Sequence, residues 1–117
     1  MRDLIRQGDI LFKPLAADRD LADGATTLAE VSGKVIAKGE VTGHAHRISE
    51  GAATIIEARR AWGALSQATG TRYLRVHETA TVAHEEHKPV TLLPGLYEIM
   101  QAREYDYVRE VTRRVVD

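Results

Sequence analysis

The chain is 117 residues long, with 16 Lys and Arg against 17 Asp and Glu and a formal net charge of −1. That is enough for one domain with a real core, and it carries no overall field to draw in nucleic acid or an anionic membrane surface. Cysteine is absent, which excludes disulfides, thiolate metal ligands and thiol nucleophiles. Residues 1–7 lack the apolar run of a secretory signal, and no stretch approaches the ~18 consecutive apolar residues needed to cross a bilayer. The expectation is a single soluble cytoplasmic domain spanning residues 1–117.

Short apolar runs bounded by Gly, Pro and Asp recur along the chain, and their β-branched content predicts strands. In chain order these fall at residues 9–14, 34–42, 44–49, 53–58, 71–77, 80–84, 89–93 and 96–103. Residues 16–32 are charged and small with no sustained period, and read as a surface loop or a short helical turn. Residues 59–70 read as a solvated loop with Trp62 tucked against the domain; the alternative is a small exposed binding surface made by Arg59, Arg60 and Trp62. The tail is ambiguous, because Tyr107, Val111 and Val115 lie at helical spacing while Val108, Arg109 and Glu110 also fit an extended edge segment. About eight short strands in one small domain predict an all-β fold, either a closed β-barrel or a two-sheet sandwich, since an open sheet would leave edges unpaired.

Chemistry concentrates in two segments. In "GEVTGHAHRI", residues 39–48, side chains alternate faces, so His44, His46 and Ile48 share one side and Arg47 takes the other. With Arg47 in water, the two imidazoles fall on the core-facing row. In "HEEHKP", residues 84–89, His84 and His87 flank two carboxylates at a turn. Glu85 and Glu86 there offer an oxygen ligand or a partner that fixes an imidazole's tautomer. The two segments hold four of the five histidines.

The candidate metal ligands are therefore His44, His46, His84, His87 and Glu50, around a divalent transition ion such as Zn, Mn, Fe or Ni; Ca²⁺ and Mg²⁺ prefer all-oxygen sites. The competing reading is a hydrogen-bonded polar cluster without metal. Glu40 and Glu50 flank the histidine strand, and either completes the ion's shell or faces solvent. His77 shares a face with Tyr73 and Arg75, opposite Leu74 and Val76, and is assigned to solvent. No glycine-rich phosphate loop precedes a helix, and Ser32, Ser49 and Ser66 lie outside any nucleophile-elbow pattern.

Gly39, His44, His46 and Glu50 together resemble the first metal-binding motif of the cupin superfamily, in which a glycine precedes a His-x-His pair and a glutamate follows. Here Gly39 stands one residue closer to His44 than in that motif. The segment "LPGLYEI" is similar to the turn of the second cupin motif, with Tyr97 and Glu98 where a histidine would follow. The resemblance implies a barrel and a metal site whose remaining ligand comes from His84 or His87. Over nearly its full length the chain also resembles a set of small uncharacterised bacterial and phage-borne proteins. The shared segments appear here as Gln7-Gly8-Asp9, residues 39–47, 84–89 and 93–97, and Gln101 to Tyr105; no activity follows from that likeness.

Two functions remain open at this point. In the first, a metalloprotein holds an ion that either activates water or binds a small oxygenated ligand, or is purely structural. In the second, a non-enzymatic binding or self-assembly module uses an exposed edge, such as "EYDYVREV", to pair with a partner. A homodimer is the expected assembly.

Overall fold

The computed structural model describes residues 4–16, 26–38, 44–62 and 65–101, with the side chains of 26, 38, 61–62 and 65–70 left aside. Eight strands follow one another: β1 (Ile5–Gln7), β2 (Ile10–Leu15), β3 (Thr26–Val31), β4 (Val35–Lys38), β5 (Ala45–Trp62), β6 (Leu65–Ala83), β7 (Val90–Leu92) and β8 (Gly95–Gln101). The described residues contain no helix, so none is long and apolar enough to cross a membrane. All pairings are antiparallel. The path through the sheet is β1-β2-β8-β6-β5-β3, with β4 added to β5 and β7 added to β6.

The all-β expectation holds, but among the described residues the sheet does not close. β1 and β3 end the hydrogen-bonded path, so neither the closed barrel nor the cupin-type barrel describes these strands, and all eight belong to one sheet rather than two. Among the described residues the two ends of the path are β1, of three residues, and β3, of six.

The long hairpin β5–β6 organises the rest. β4 pairs with the first part of β5 and β3 with its second part, while β8 pairs with the middle of β6 and β7 with its end. The predicted strands 44–49 and 53–58 are thus two halves of β5, and 71–77 and 80–84 lie within β6. Residues 59–70 were expected as a loop, yet Arg59 to Trp62 and Leu65 onward continue the hairpin, with Arg59 opposite Ala68 and Trp62 opposite Leu65. Thr26–Val31, inside the expected loop 16–32, is drawn into the sheet as β3 because β5 extends far enough to offer it a ladder, from Ile55 to Arg60. Residues 102–117 and Glu40 lie outside the described residues, as do the side chains of Trp62 and its neighbours.

Register shifts between Ile48 and Glu50, Glu50 and Ala52, and Ala52 and Ala53 break the ladder midway along β5. Their net effect is to change which alternate residues face inward, because an extra residue in one strand flips the side chains that follow it. Before the shifts His46 and Ile48 are buried; after them Ile55 carries the same core, while Ile56 and Ala58 pack on the opposite face with Tyr73 and Leu96. Gly51 makes the bend possible. It sits at φ +88°, and a Cβ there would come within 2.7 Å of Ala80 Cα and against the Thr79 carbonyl, so only glycine lets the two backbones approach this closely.

The main core joins Ile10 and Phe12 of β2, Ile36 of β4, Ile48 and Ile55 of β5, Leu74, Val76, Ala80 and Val82 of β6, Leu92 of β7 and Tyr97 of β8. As expected, Pro94-Gly95 turns the chain into a strand, and Tyr97 closes that turn by donating its hydroxyl proton to the Leu93 carbonyl at 2.7 Å. At the other end of the core, β1 and β2 meet in a two-residue turn, with Gln7 paired to Ile10. Gly8 occupies its first central position at φ +60° while Asp9 is not left-handed, the type II′ arrangement that suits the twist of a hairpin. This turn delivers Gln7 and Asp9 to the histidines.

Candidate functional site

His46 lies at the centre of the site and is fully buried. Its Nδ1 is 2.7 Å from Gln7 Oε1 and its Nε2 is 3.3 Å from Asp9 Oδ1. Burial pushes its pKa below the usual imidazole value; the hydrogen bond and charge of Asp9 oppose this, and His84 and His87 add to it. His46 is therefore held neutral at neutral pH.

Three more imidazoles surround it. The His84 ring tilts against His46 with centroids 4.4 Å apart and against His87 at 4.6 Å. His87 lies nearly parallel to His46 at 6.2 Å. His44, just before β5, meets His84 edge-on at 5.7 Å, and its Nδ1 is 3.4 Å from Glu86 Oε1. Both histidines of the His44-Ala45-His46 pair thus contact His84, as strand alternation predicts.

The segment between β6 and β7 is pinned to β5 by Glu85. One carboxylate oxygen accepts the Ala45 N–H at 2.9 Å and the other accepts from Arg47 at 3.3 Å. The Ala45 bond is the main reason the Glu85 carboxyl is held below its usual range. Within the segment, Glu86 N–H donates to His84 Nδ1 at 3.1 Å. Gly8 leaves the space that His87 fills: a Cβ on it would lie 2.6 Å from His87 Cδ2 and also collide with Nε2. On the outer side, Ala45, Arg47, Ala83, His84 and Glu85 line a shallow surface depression.

The structure brings together His44, His46, His84 and His87, and does not bring Glu50. Alternation would carry Glu50 inward after Ile48, but the register shift between those two residues turns it to solvent, four positions beyond His46 or about 13 Å along a strand. His77 is exposed and within 2.8 Å of Thr54 Oγ1, away from the group. Sequence reasoning missed Gln7, Gly8 and Asp9. Their signal was the Gly-Asp turn dipeptide itself, which predicts a tight hairpin but not where it docks.

Imidazole and carboxylate together are a donor set for a transition ion. Among the described residues, no three His, Asp or Glu side chains already surround one point as ready ligands; the rings pack on one another instead. Nor does any buried side-chain nitrogen or oxygen lack a hydrogen-bond partner among them.

A family model described as "Domain of unknown function (DUF8820)" matches residues 6–102. The chain belongs to this family. No curated protein and no solved structure matches it. The span that defines this DUF8820 chain begins just before Gln7 and ends just after β8, so it encloses every residue of the histidine site.

Proposed function

We propose that the chain is a small metal-binding β protein in which His46 and Asp9, with His44, His84 and His87 around them, hold one divalent transition ion. The observation that carries this reading is the facing pair of the buried His46 Nε2 and the Asp9 Oδ1, 3.3 Å apart. Two donors bound to one tetrahedral ion at about 2.0–2.2 Å lie roughly 3.4 Å from each other. The same geometry sets the ring centroids of two bound imidazoles roughly 5 Å apart. The observed separations of 4.4, 4.6, 5.7 and 6.2 Å bracket that value, so small side-chain rotations suffice to gather the donors. His44 has the arrangement typical of a ligand, with Nδ1 on the Glu86 carboxylate and Nε2 directed elsewhere. Binding through His84 Nδ1 would require it to release the Glu86 N–H.

Imidazole donors favour Zn, Mn, Fe or Ni over Ca²⁺ and Mg²⁺. Asp9 is half-exposed and His87 is on the surface, so water reaches the group from that side and is available as a further ligand. The ion would also join the β1–β2 turn, the start of β5 and the β6–β7 segment, three stretches far apart in sequence. One observation favours the second reading, a metal-free polar network: every buried polar side-chain atom of the described residues has a polar neighbour at hydrogen-bond distance.

Elemental analysis separates the two. Untagged protein purified without added metal or chelator is expected to carry a transition metal at a substantial fraction of one ion per chain. His46→Ala should release it and His77→Ala should retain it. An ion at 100 times its Kd should stabilise the fold by about 2.7 kcal/mol. Absence of metal in the wild type, with no thermal stabilisation by Zn²⁺, Mn²⁺, Fe²⁺ or Ni²⁺, would leave the polar network as the function of the cluster.

A further inference from the structure

We infer that Gln7 is the positioning residue of the site: it fixes the His46 proton on Nδ1 and so leaves Nε2 as a bare donor facing Asp9. Gln7 is 2% exposed, so its amide must find all its partners inside the protein. Its Nε2 gives one hydrogen to the Val82 carbonyl and one to the Lys88 carbonyl, each at 2.9 Å. A primary amide has two N–H donors and both are spent. Only the oxygen remains for His46, and an amide oxygen can only accept. Turning the amide over would aim its oxygen at two carbonyls and leave both bonds unmade, which excludes that orientation on chemical grounds.

The short 2.7 Å contact is then Nδ1–H of His46 donating to Gln7 Oε1. In the neutral ring the lone pair sits on Nε2, which points at a carboxylate oxygen 3.3 Å away. Two acceptors do not bind each other, so what fits between them is a cation, either a second ring proton, which the burial of the ring opposes, or a metal ion. Val82 and Lys88 bracket the segment that carries His84 and His87, so the same amide that orients His46 is anchored on both sides of the other two rings. The type II′ turn at Gly8 holds this amide and Asp9 on one short hairpin, which sets the orienting group and the facing carboxylate at a fixed spacing.

The tautomer stands or falls independently of any ion, whereas the step from tautomer to metal affinity rests on the metal-binding reading above. The experiment is ¹⁵N NMR of histidine-labelled, metal-stripped full-length protein at mildly alkaline pH, followed by Zn²⁺ titration of the wild type and Gln7→Met. The expected result is a single His46 species protonated at Nδ1 with Nε2 unprotonated. Gln7→Met should convert it to a mixture of tautomers and weaken Zn²⁺ binding by about 10–100-fold, the usual loss when a group orienting a ligand is removed. A wild-type His46 protonated at Nε2 overturns the inference even if zinc binds. A folded Gln7→Met that keeps the pure Nδ1–H form and wild-type zinc affinity overturns it as well. If Gln7→Met does not fold, the wild-type spectrum alone decides. An Nδ1–H form in protein that binds no zinc, manganese, iron or nickel upholds the tautomer and removes the metal-binding reading.

Discussion

Replacing Gly8 by Ala separates the site from the fold more cleanly than removing a histidine does. Gly8 is left-handed at φ +60°, and the new methyl would collide with the His87 ring, 2.6 Å from Cδ2. The strain of a non-glycine residue in that region costs about 1–2 kcal/mol, which for a domain of this size is a fall in Tm of roughly 4–8 °C. The collision adds little to that, because His87 is exposed and can swing away. Swinging, however, removes it from its place beside His46. Gly33→Ala supplies the control: it carries the same kind of strain at φ +101°, but a Cβ there meets nothing within 4 Å. Thermal melts and Zn²⁺ titrations of both variants should show similar modest losses of Tm, with zinc affinity falling at least tenfold only in Gly8→Ala, the lower end of what outer-shell changes cost. Equal zinc affinity in the two variants would refute the placement of His87 at the site.

Gly51→Ala should behave differently, because the atoms its methyl meets belong to the β6 backbone and cannot swing aside. The expected destabilisation is roughly 2–5 kcal/mol, combining left-handed strain with overpacking, and a urea midpoint equal to that of Gly33→Ala would count against the close approach at the bend. Acidification should also weaken the fold. Burial lowers the His46 pKa, so below the ordinary imidazole value near 6.5 the unfolded chain binds a proton that the native protein resists, and stability must fall as pH drops. Stability is full above that pH and declines below it toward the lowered native value; the Glu85 carboxyl acts in the same direction in a separate window below its ordinary 4.5. Urea midpoints that rise from pH 7.5 to pH 5.5 would contradict this sign.

Local pattern was enough for much of the molecule. Period-two alternation correctly placed Arg47 outside and His46 and Ile48 inside, since the pleat sends neighbouring side chains to opposite faces whatever the rest of the chain does. Pro94-Gly95 announced its turn for an equally local reason, and the His-x-His spacing put two imidazoles on one side before any partner strand was known. Three features needed the folded chain. The register shifts around Gly51 turned Glu50 outward and made two apparent strands into one, because a bulge depends on the partner strand and leaves the composition of each half unchanged. Thr26–Val31 became a strand only because β5 offered it a ladder. Gln7 and Asp9 reached His46 through pairing across the sheet, with Gln7 bonded to Val82 and Lys88, 75 and 81 residues further along the chain. Side-chain identity therefore determined which groups were available for chemistry, while long-range antiparallel register decided which of them share a site, because it sets distances that no short window of sequence contains.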